Sequence, residues 1–497
     1  MMQKCRCSSV LIGLCFVTLV GFFTYVWGFS TPQAFFWDEN YHIASAQKYL
    51  NGTFFMEPHP PLGKMLIAAG EALFDFNPSD DQFITSDYAK DPPPGFSFTG
   101  YRLFPVLFAW LTTPVLFFIF FLLTKNSMFS VLFSFLYLFD NALIVHLRGA
   151  MLEAPYLFFS ALTILAFLLV IHTKDDSKKF MFCSLFFGMS FAGVMLTKVL
   201  GLVLILLLPA LAVALHPHWK QFHRFLLPAT LAFLVPYLAI WQLHFSLLKN
   251  IEPTLPDQGY YQASEQYKQI LVQKQNGNPL FLPLLLRDSW KFTGHYSAGV
   301  PKLDLGKADE NGSPHFLWPV GARSINYRWE TPDGIAYRYL YLQVNPVVWW
   351  GVFVGLFLGV GLLVAHVFLP LKEKLQRPLL LSIFLGLYVS FMAAISMLDR
   401  VMYLYHYFLA LVFGFCILAL VFFELKQFFS WKLTPERKSV ILTIFGMLVF
   451  FGFQFFRPLT YYIPITNAQF QSRAFFPLWE AHCVNCPKKS TLVQTRR

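Results

Sequence analysis

The chain has 497 residues, of which 56% are hydrophobic and only 13% charged, with 59 phenylalanines. A soluble domain carries roughly 25% charged residues, so this composition excludes a soluble enzyme and makes the bilayer the expected solvent. The net charge of +11 does not point to nucleic acid, because the basic residues gather in short connections between apolar runs.

Apolar runs near 10–28, 100–123, 129–146, 153–172, 181–197, 199–215, 224–245, 346–369, 379–397, 403–423 and 439–456 predict an all-α polytopic membrane protein of about eleven spans. The first run starts on Lys4 and Arg6, but no small-residue cleavage site follows before Trp37, so it reads as a retained span. With the N-terminus cytosolic, Lys125, then Lys174, Lys178 and Lys179, then Lys220 and Arg224, then Lys372, Lys374 and Arg377, then Lys426, Lys432, Arg437 and Lys438 all fall on the inner side. The chain therefore divides into an N-terminal membrane region (1–245, including a first outside loop at 29–99), a second outside loop (246–345), a C-terminal membrane region (346–456) and an outside tail (457–497). The tail suggests no function of its own. Cys483 and Cys486 within it fit a disulfide in an oxidising compartment, with a metal or redox C-x-x-C as the alternative.

The first outside loop holds nine carboxylates against three lysines, in keeping with an outer face. Helical apolar spacing over 39–50 and 61–74, broken by Asn51-Gly52 and His59-Pro60-Pro61, predicts two short helices near the membrane surface. Just before them, Phe36-Trp37-Asp38-Glu39 sets two carboxylates among large aromatics. A half-shielded carboxylate can take a proton from a hydroxyl, and Asp38 also stands where a helix N-cap is expected. The second outside loop, with balanced charge and many Gly, Pro and Tyr, predicts a folded loop with short helices and strands.

Asp38-Glu39 followed by His59-Pro60-Pro61-Leu62-Gly63-Lys64 resembles the protein O-mannosyltransferase family and its bacterial relatives. Arg148-x-x-x-Leu-Glu153-x-Pro is similar to that family's Arg-x-x-x-Leu-Asp/Glu-x-Pro element, with Glu153 in place of the usual Asp. Lys198 with Gly201, Ser313-Pro314-His315 before Trp318-Pro319, and Arg400-x-x-Tyr-x-Tyr405-His406 extend the likeness towards the other end. The resemblance implies a membrane-embedded glycosyltransferase of the GT-C class. Its donor would be a hexose, mannose by family, on a polyprenyl phosphate, and its acceptors the Ser/Thr hydroxyls of secreted proteins. Eukaryotic members insert a β-trefoil module in the second outside loop. The hundred residues here leave no room for one, which implies a bacterial-type member in a plasma membrane with the site on the outer face.

On this reading Asp38 is the general base and Glu39 positions the acceptor or a basic neighbour. Arg148, Lys198 and Arg400 hold the donor phosphate, with His59, Lys64, Glu153, His315, Tyr405 and His406 in support. Each cation has a plainer reading as well: Arg148 and Lys198 as interfacial snorkels, Arg400 as the ion-pair partner of Asp399. His59, Glu153, His315 and His406 also admit a divalent metal, although their spacing fits no compact ligand motif. The rivals are a lipid A or other lipid-modifying transferase of the same fold, or a transporter. A transporter would place charges at mid-bilayer and show repeats, neither of which is seen.

Overall fold

The structure is a computed structural model and describes residues 2–78, 92–252, 259–307, 310–370, 373–428 and 430–486. The charged residues from 79 to 91, Lys372, and the basic chain end beyond 486 lie outside the described residues, as do the side chains of Lys4 and Arg6.

Among the described residues, nine helices are long and apolar enough to cross a membrane. Two further apolar segments stand at the positions of the remaining predicted spans. Ser127–Leu138 and Asn141–Leu147 form a pair bent by 63°, and Val199–Ala214 is shorter. The latter begins as the 8-residue 3₁₀ helix Val199–Leu206 and continues as the 8-residue α-helix Leu207–Ala214. At about 2.0 Å per 3₁₀ residue and 1.5 Å per α residue it reaches about 28 Å, close to the ~30 Å hydrocarbon core. Stretching part of this span into 3₁₀ helix therefore compensates for its low residue count.

The bend of the third segment has a traceable cause. Asp140 leaves the helical region, and its carboxylate caps the following turn by accepting from the Leu143 amide at 2.9 Å. The break frees the Phe139 carbonyl, which accepts from Asn345 Nδ2 at 2.8 Å, while Trp349 Nε1 donates to Asp140 Oδ2 at 2.8 Å. Non-helical backbone at membrane depth survives only when neighbours satisfy it in this way. The bend aims Asn141–Leu147, and with it His146 and Arg148, at the outside loops.

The basic connections meet at one end of the bundle. Arg377 Nη1 donates to the carbonyls of Leu122 and Leu123, and Arg224 Nη2 donates to Ser177 Oγ at 2.6 Å. Gln221 Nε2 bonds the Lys174 carbonyl at 3.2 Å. The two outside loops cover the other end. Glu39–Asn51 and Leu62–Phe74 are helices, as expected. They pack on each other, and nearly every residue from Glu39 to Tyr49 is buried. The reason is the second loop, which caps them: the Phe54 amide donates to the Asn250 carbonyl at 2.7 Å.

The second loop contributes the helices Glu265–Val272 and Leu282–Gly299 and an antiparallel hairpin of Ile325–Glu330 with Arg338–Leu342. The tail packs on this hairpin. Tyr337 bridges to Ile465, Arg323 pairs with Glu480 at 3.0 Å, and Trp479 is fully buried. Cys483 and Cys486 are joined by a disulfide.

Candidate active site

A cavity of about 1010 Å³ opens between the two long loops, 29–99 and 246–345, and the adjoining ends of the spans. Its walls carry Asp38, Glu57, His59, Lys64, Glu153, Lys198, Arg400, Tyr405 and His406, residues supplied by stretches from both halves of the chain.

Asp38 stands just before the helix Glu39–Asn51, yet its side chain makes no capping bond. It instead accepts the Tyr405 hydroxyl at 3.2 Å, so the N-cap reading of this carboxylate does not hold. The backbone explains the choice. Trp37 sits at φ 52° in the left-handed region, which costs roughly 1–3 kcal/mol in a non-glycine residue. Its indole, stacked on Tyr327 at 5.0 Å and edge-on to Tyr403 at 5.1 Å, holds it there. Burial raises the Asp38 carboxyl above the usual aspartate range and the nearby Glu153 charge raises it further, with His146, Lys198 and the Tyr405 bond partly offsetting them.

Glu39 does not line the cavity beside Asp38; of the two expected roles, positioning the acceptor or a basic neighbour, its contacts fit the second. It is fully buried, and its two oxygens take Nε and Nη2 of Arg102 at 2.6 and 2.7 Å. Arg102, which sequence reasoning missed, also donates to the carbonyls of Ser30, Pro32 and Ala34. Glu39 Oε1 further accepts the Ala150 amide at 2.9 Å. That approach requires glycine at 149, where an added Cβ would stand 2.7 Å from Phe36 Cζ and 3.2 Å from Glu39 Oε1. The pair thus locks the strand carrying Asp38 to the end of the bent span.

Lys198 lies in extended backbone between two helices, 12% exposed, and pairs with Glu153 Oε1. Glu153 Oε2 takes His146 Nε2 at 2.8 Å, and His146 Nδ1 meets the Tyr327 hydroxyl at 2.6 Å. The His146 ring stacks on Tyr405 at 4.5 Å, so this network touches the residue that holds Asp38. Lys198 faces the site and does not snorkel away from it. Gly201 closes the corner: a Cβ there would meet Val194 Cγ1 at 2.0 Å.

The His59-Pro60-Pro61 segment reaches this corner through the Leu62 amide, which donates to the Leu196 carbonyl at 2.9 Å. Lys64 Nζ bonds Glu57 Oε2 at 2.6 Å and Ser45 Oγ at 3.1 Å, and Glu57 Oε1 takes the His59 amide and faces its Nδ1. Burial pushes Glu57 up, but the Lys64 ammonium and the His59 bond together hold it well below the usual carboxylate range. Burial also lowers His59, with the Glu57 carboxylate partly offsetting it.

Arg400 lines the cavity and does not pair with Asp399, which bonds Lys302 instead. Its Nε is buried with no acceptor among the described residues. His406 Nδ1 lies 3.2 Å from the Tyr403 amide, fixing the short 3₁₀ turn Leu404–Tyr407. Two expected residues fall elsewhere. His315 packs towards Trp318, which in turn stacks on His406, and does not itself line the cavity. Arg148 donates to the Trp27 carbonyl at 2.9 Å and faces the Tyr461 ring at 4.7 Å, in a separate groove; its assignment to the phosphate of this cavity is therefore corrected. The bend at Asp140 turns His146 inward and Arg148 outward. Among the described residues, no group of three or more His, Cys, Asp or Glu is arranged to hold a metal ion.

A family model described as dolichyl-phosphate-mannose-protein mannosyltransferase matches residues 15–248, and one described as the C-terminal four TMM region of protein-O-mannosyltransferase matches residues 295–479. Protein O-mannosyl-transferase 1 of Rattus norvegicus is 28% identical over 170 residues, 34% of this chain and 22% of the rat protein. That of Danio rerio is 27% identical over 251 residues, 48% of this chain and 34% of the fish protein. The matched stretches thus span about a third or less of these relatives. The S. cerevisiae protein O-mannosyltransferase Pmt1-Pmt2 complex bound to the sugar donor superposes with a TM-score of 0.78 at 14% identity, covering 98% of this chain and 95% of that one. With its fold shared and both halves of its membrane bundle matched, this chain is a multi-pass membrane protein that belongs to the protein O-mannosyltransferase family.

Proposed function

We propose that the protein transfers mannose from a polyprenyl phosphate to Ser/Thr hydroxyls of proteins on the non-cytosolic face of a membrane. The observation that carries this reading is a carboxylate with a pKa raised by burial, Asp38, lining one cavity with two cations, Lys198 and Arg400. Val199, Leu200 and Leu398 give the cavity an apolar lip beside these cations, a route for a lipid tail whose phosphate stays inside. Trp290 and Tyr296 of the second outside loop also line the cavity and offer aromatic surface to an acceptor peptide.

The acceptor oxygen attacks the anomeric carbon as the carbon–oxygen bond to phosphate breaks, inverting the configuration. Its proton passes to Asp38, and the polyprenyl phosphate leaves with the bonding pair, its charge met by Arg400 and Lys198. Glu153 and His146 hold Lys198 in place. No step is routed through a metal. The relatives matched are eukaryotic; a bacterial-type plasma membrane is proposed here on the second loop, which has no room for a β-trefoil.

Arg400→Gln is expected to lower kcat by about 10²–10³-fold, the usual loss on removing one group that stabilises a developing charge. Single-turnover consumption of a mannosyl polyprenyl phosphate in the presence of a Ser/Thr peptide measures it, and wild-type rates in this variant would remove Arg400 from the mechanism. The pH profile gives a second check. Because the base works ionised and its carboxyl is raised, kcat/KM is expected to fall on the acid side at a pH above the ordinary aspartate range. Glu153→Gln removes a charge that raises Asp38, so its acid limb is expected at lower pH; a limb that stays in place would separate the two carboxylates.

A further inference from the structure

A second groove, of about 970 Å³, runs along the membrane face between the first and last spans, apart from the Asp38 cavity. Phe16, Phe23, Phe139, Met447 and Phe450 line its length, and its outer end carries Arg148, Arg457 and Tyr461. Arg148 is 7% exposed, and its Nε is buried without an acceptor among the described residues. Arg457 is exposed, and its guanidinium stands 5.9 Å from the Tyr461 ring, which Arg148 approaches to 4.7 Å. Neither arginine has a carboxylate partner among the described residues.

Two guanidinium groups at the edge of the hydrocarbon, one with an unused buried donor, call for an anion whose oxygens can bond both. Phosphate on a lipid has that chemistry and brings the apolar chain that the groove beneath would cover. Length discriminates between lipids. From Thr443 to Arg457 the groove follows one helix for about 21 Å at 1.5 Å per residue. That is the depth of a single leaflet with its headgroup, given a hydrocarbon core of ~30 Å.

We propose that this groove is a binding site for one anionic phospholipid of the outer leaflet, its phosphate between Arg148 and Arg457 and an acyl chain along Phe450 and Phe16. Arg148 also holds the Trp27 carbonyl, so the lipid ties the last span to the segment that leads into Asp38. The proposal does not depend on the mannosyl-transfer reading.

Native mass spectrometry of the purified, delipidated full chain tests it, with phosphatidylglycerol, phosphatidylcholine and undecaprenyl phosphate titrated separately. The expected result is retention of one phosphatidylglycerol at roughly tenfold lower concentration than phosphatidylcholine. Arg457→Gln, a change at an exposed side chain, is expected to erase that preference, and Met447→Trp, which fills the groove, to lower retention of both. Equal retention of the two phospholipids by the wild type, or a preference unchanged in both variants, would overturn it. So would undecaprenyl phosphate displacing phosphatidylglycerol at equal concentration, which would make the groove a carrier site, or a dimer that forms only as the lipid leaves.

Discussion

Asp38→Asn is expected to lower kcat for sugar transfer by about 10²–10⁴-fold, the range supplied by a positioned general base. The amide keeps the size of the side chain and its oxygen can still accept the Tyr405 hydroxyl, so the cavity is expected to retain its shape. It cannot take a proton. Binding of the donor, measured by the change in intrinsic tryptophan fluorescence of the variant, is expected to stay within a few-fold of wild type, because Lys198 and Arg400, the charges that meet phosphate, are unchanged. A variant with near-normal kcat would mean that Asp38 only shapes the cavity.

Arg102→Met is expected to damage the fold and not the chemistry. It leaves Glu39 fully buried and unpaired, and breaking one partner of a buried pair costs about 3–5 kcal/mol. It also releases the carbonyls of Ser30, Pro32 and Ala34, by which the guanidinium ties the first loop to the span Thr99–Thr124. The expected readouts are a lower thermal midpoint and poor yield of monodisperse protein. Combining it with Glu39→Leu removes both charges, and part of the loss is expected to return, as it does when contacting sites are coupled. If Glu39→Gln instead folded with wild-type stability and lost turnover, Glu39 would return to the reacting groups.

The eleven membrane segments were legible because a span is a local property: about 20 apolar residues announce it whatever they later touch. The bend within the third was not, since it depends on Asn345 and Trp349, some two hundred residues away. The same limit governs the site. Asp38, His59, Lys64, Lys198 and Arg400 were visible through their motifs and do line one cavity. Arg148 and His146 stand two residues apart, and only the bend decides which of them turns inward. Glu39 looked like Asp38 in sequence, and what separates them is Arg102, 63 residues on, which shows in the sequence only as an arginine near the start of an apolar run. Glu57 carried a local signal that went unused: a carboxylate two residues before His59 and seven before Lys64.

On the proposed function, a sugar passes from a polyprenyl phosphate to a protein hydroxyl through this cavity. The most direct measurement follows radiolabelled mannose from mannosyl undecaprenyl or dolichyl phosphate, added to the purified protein with a Ser/Thr-rich peptide, and assigns the anomeric configuration of the product by NMR. Label on peptide hydroxyls with the configuration inverted relative to the donor is the expected result. Label confined to lipid, or a product of retained configuration, would contradict it.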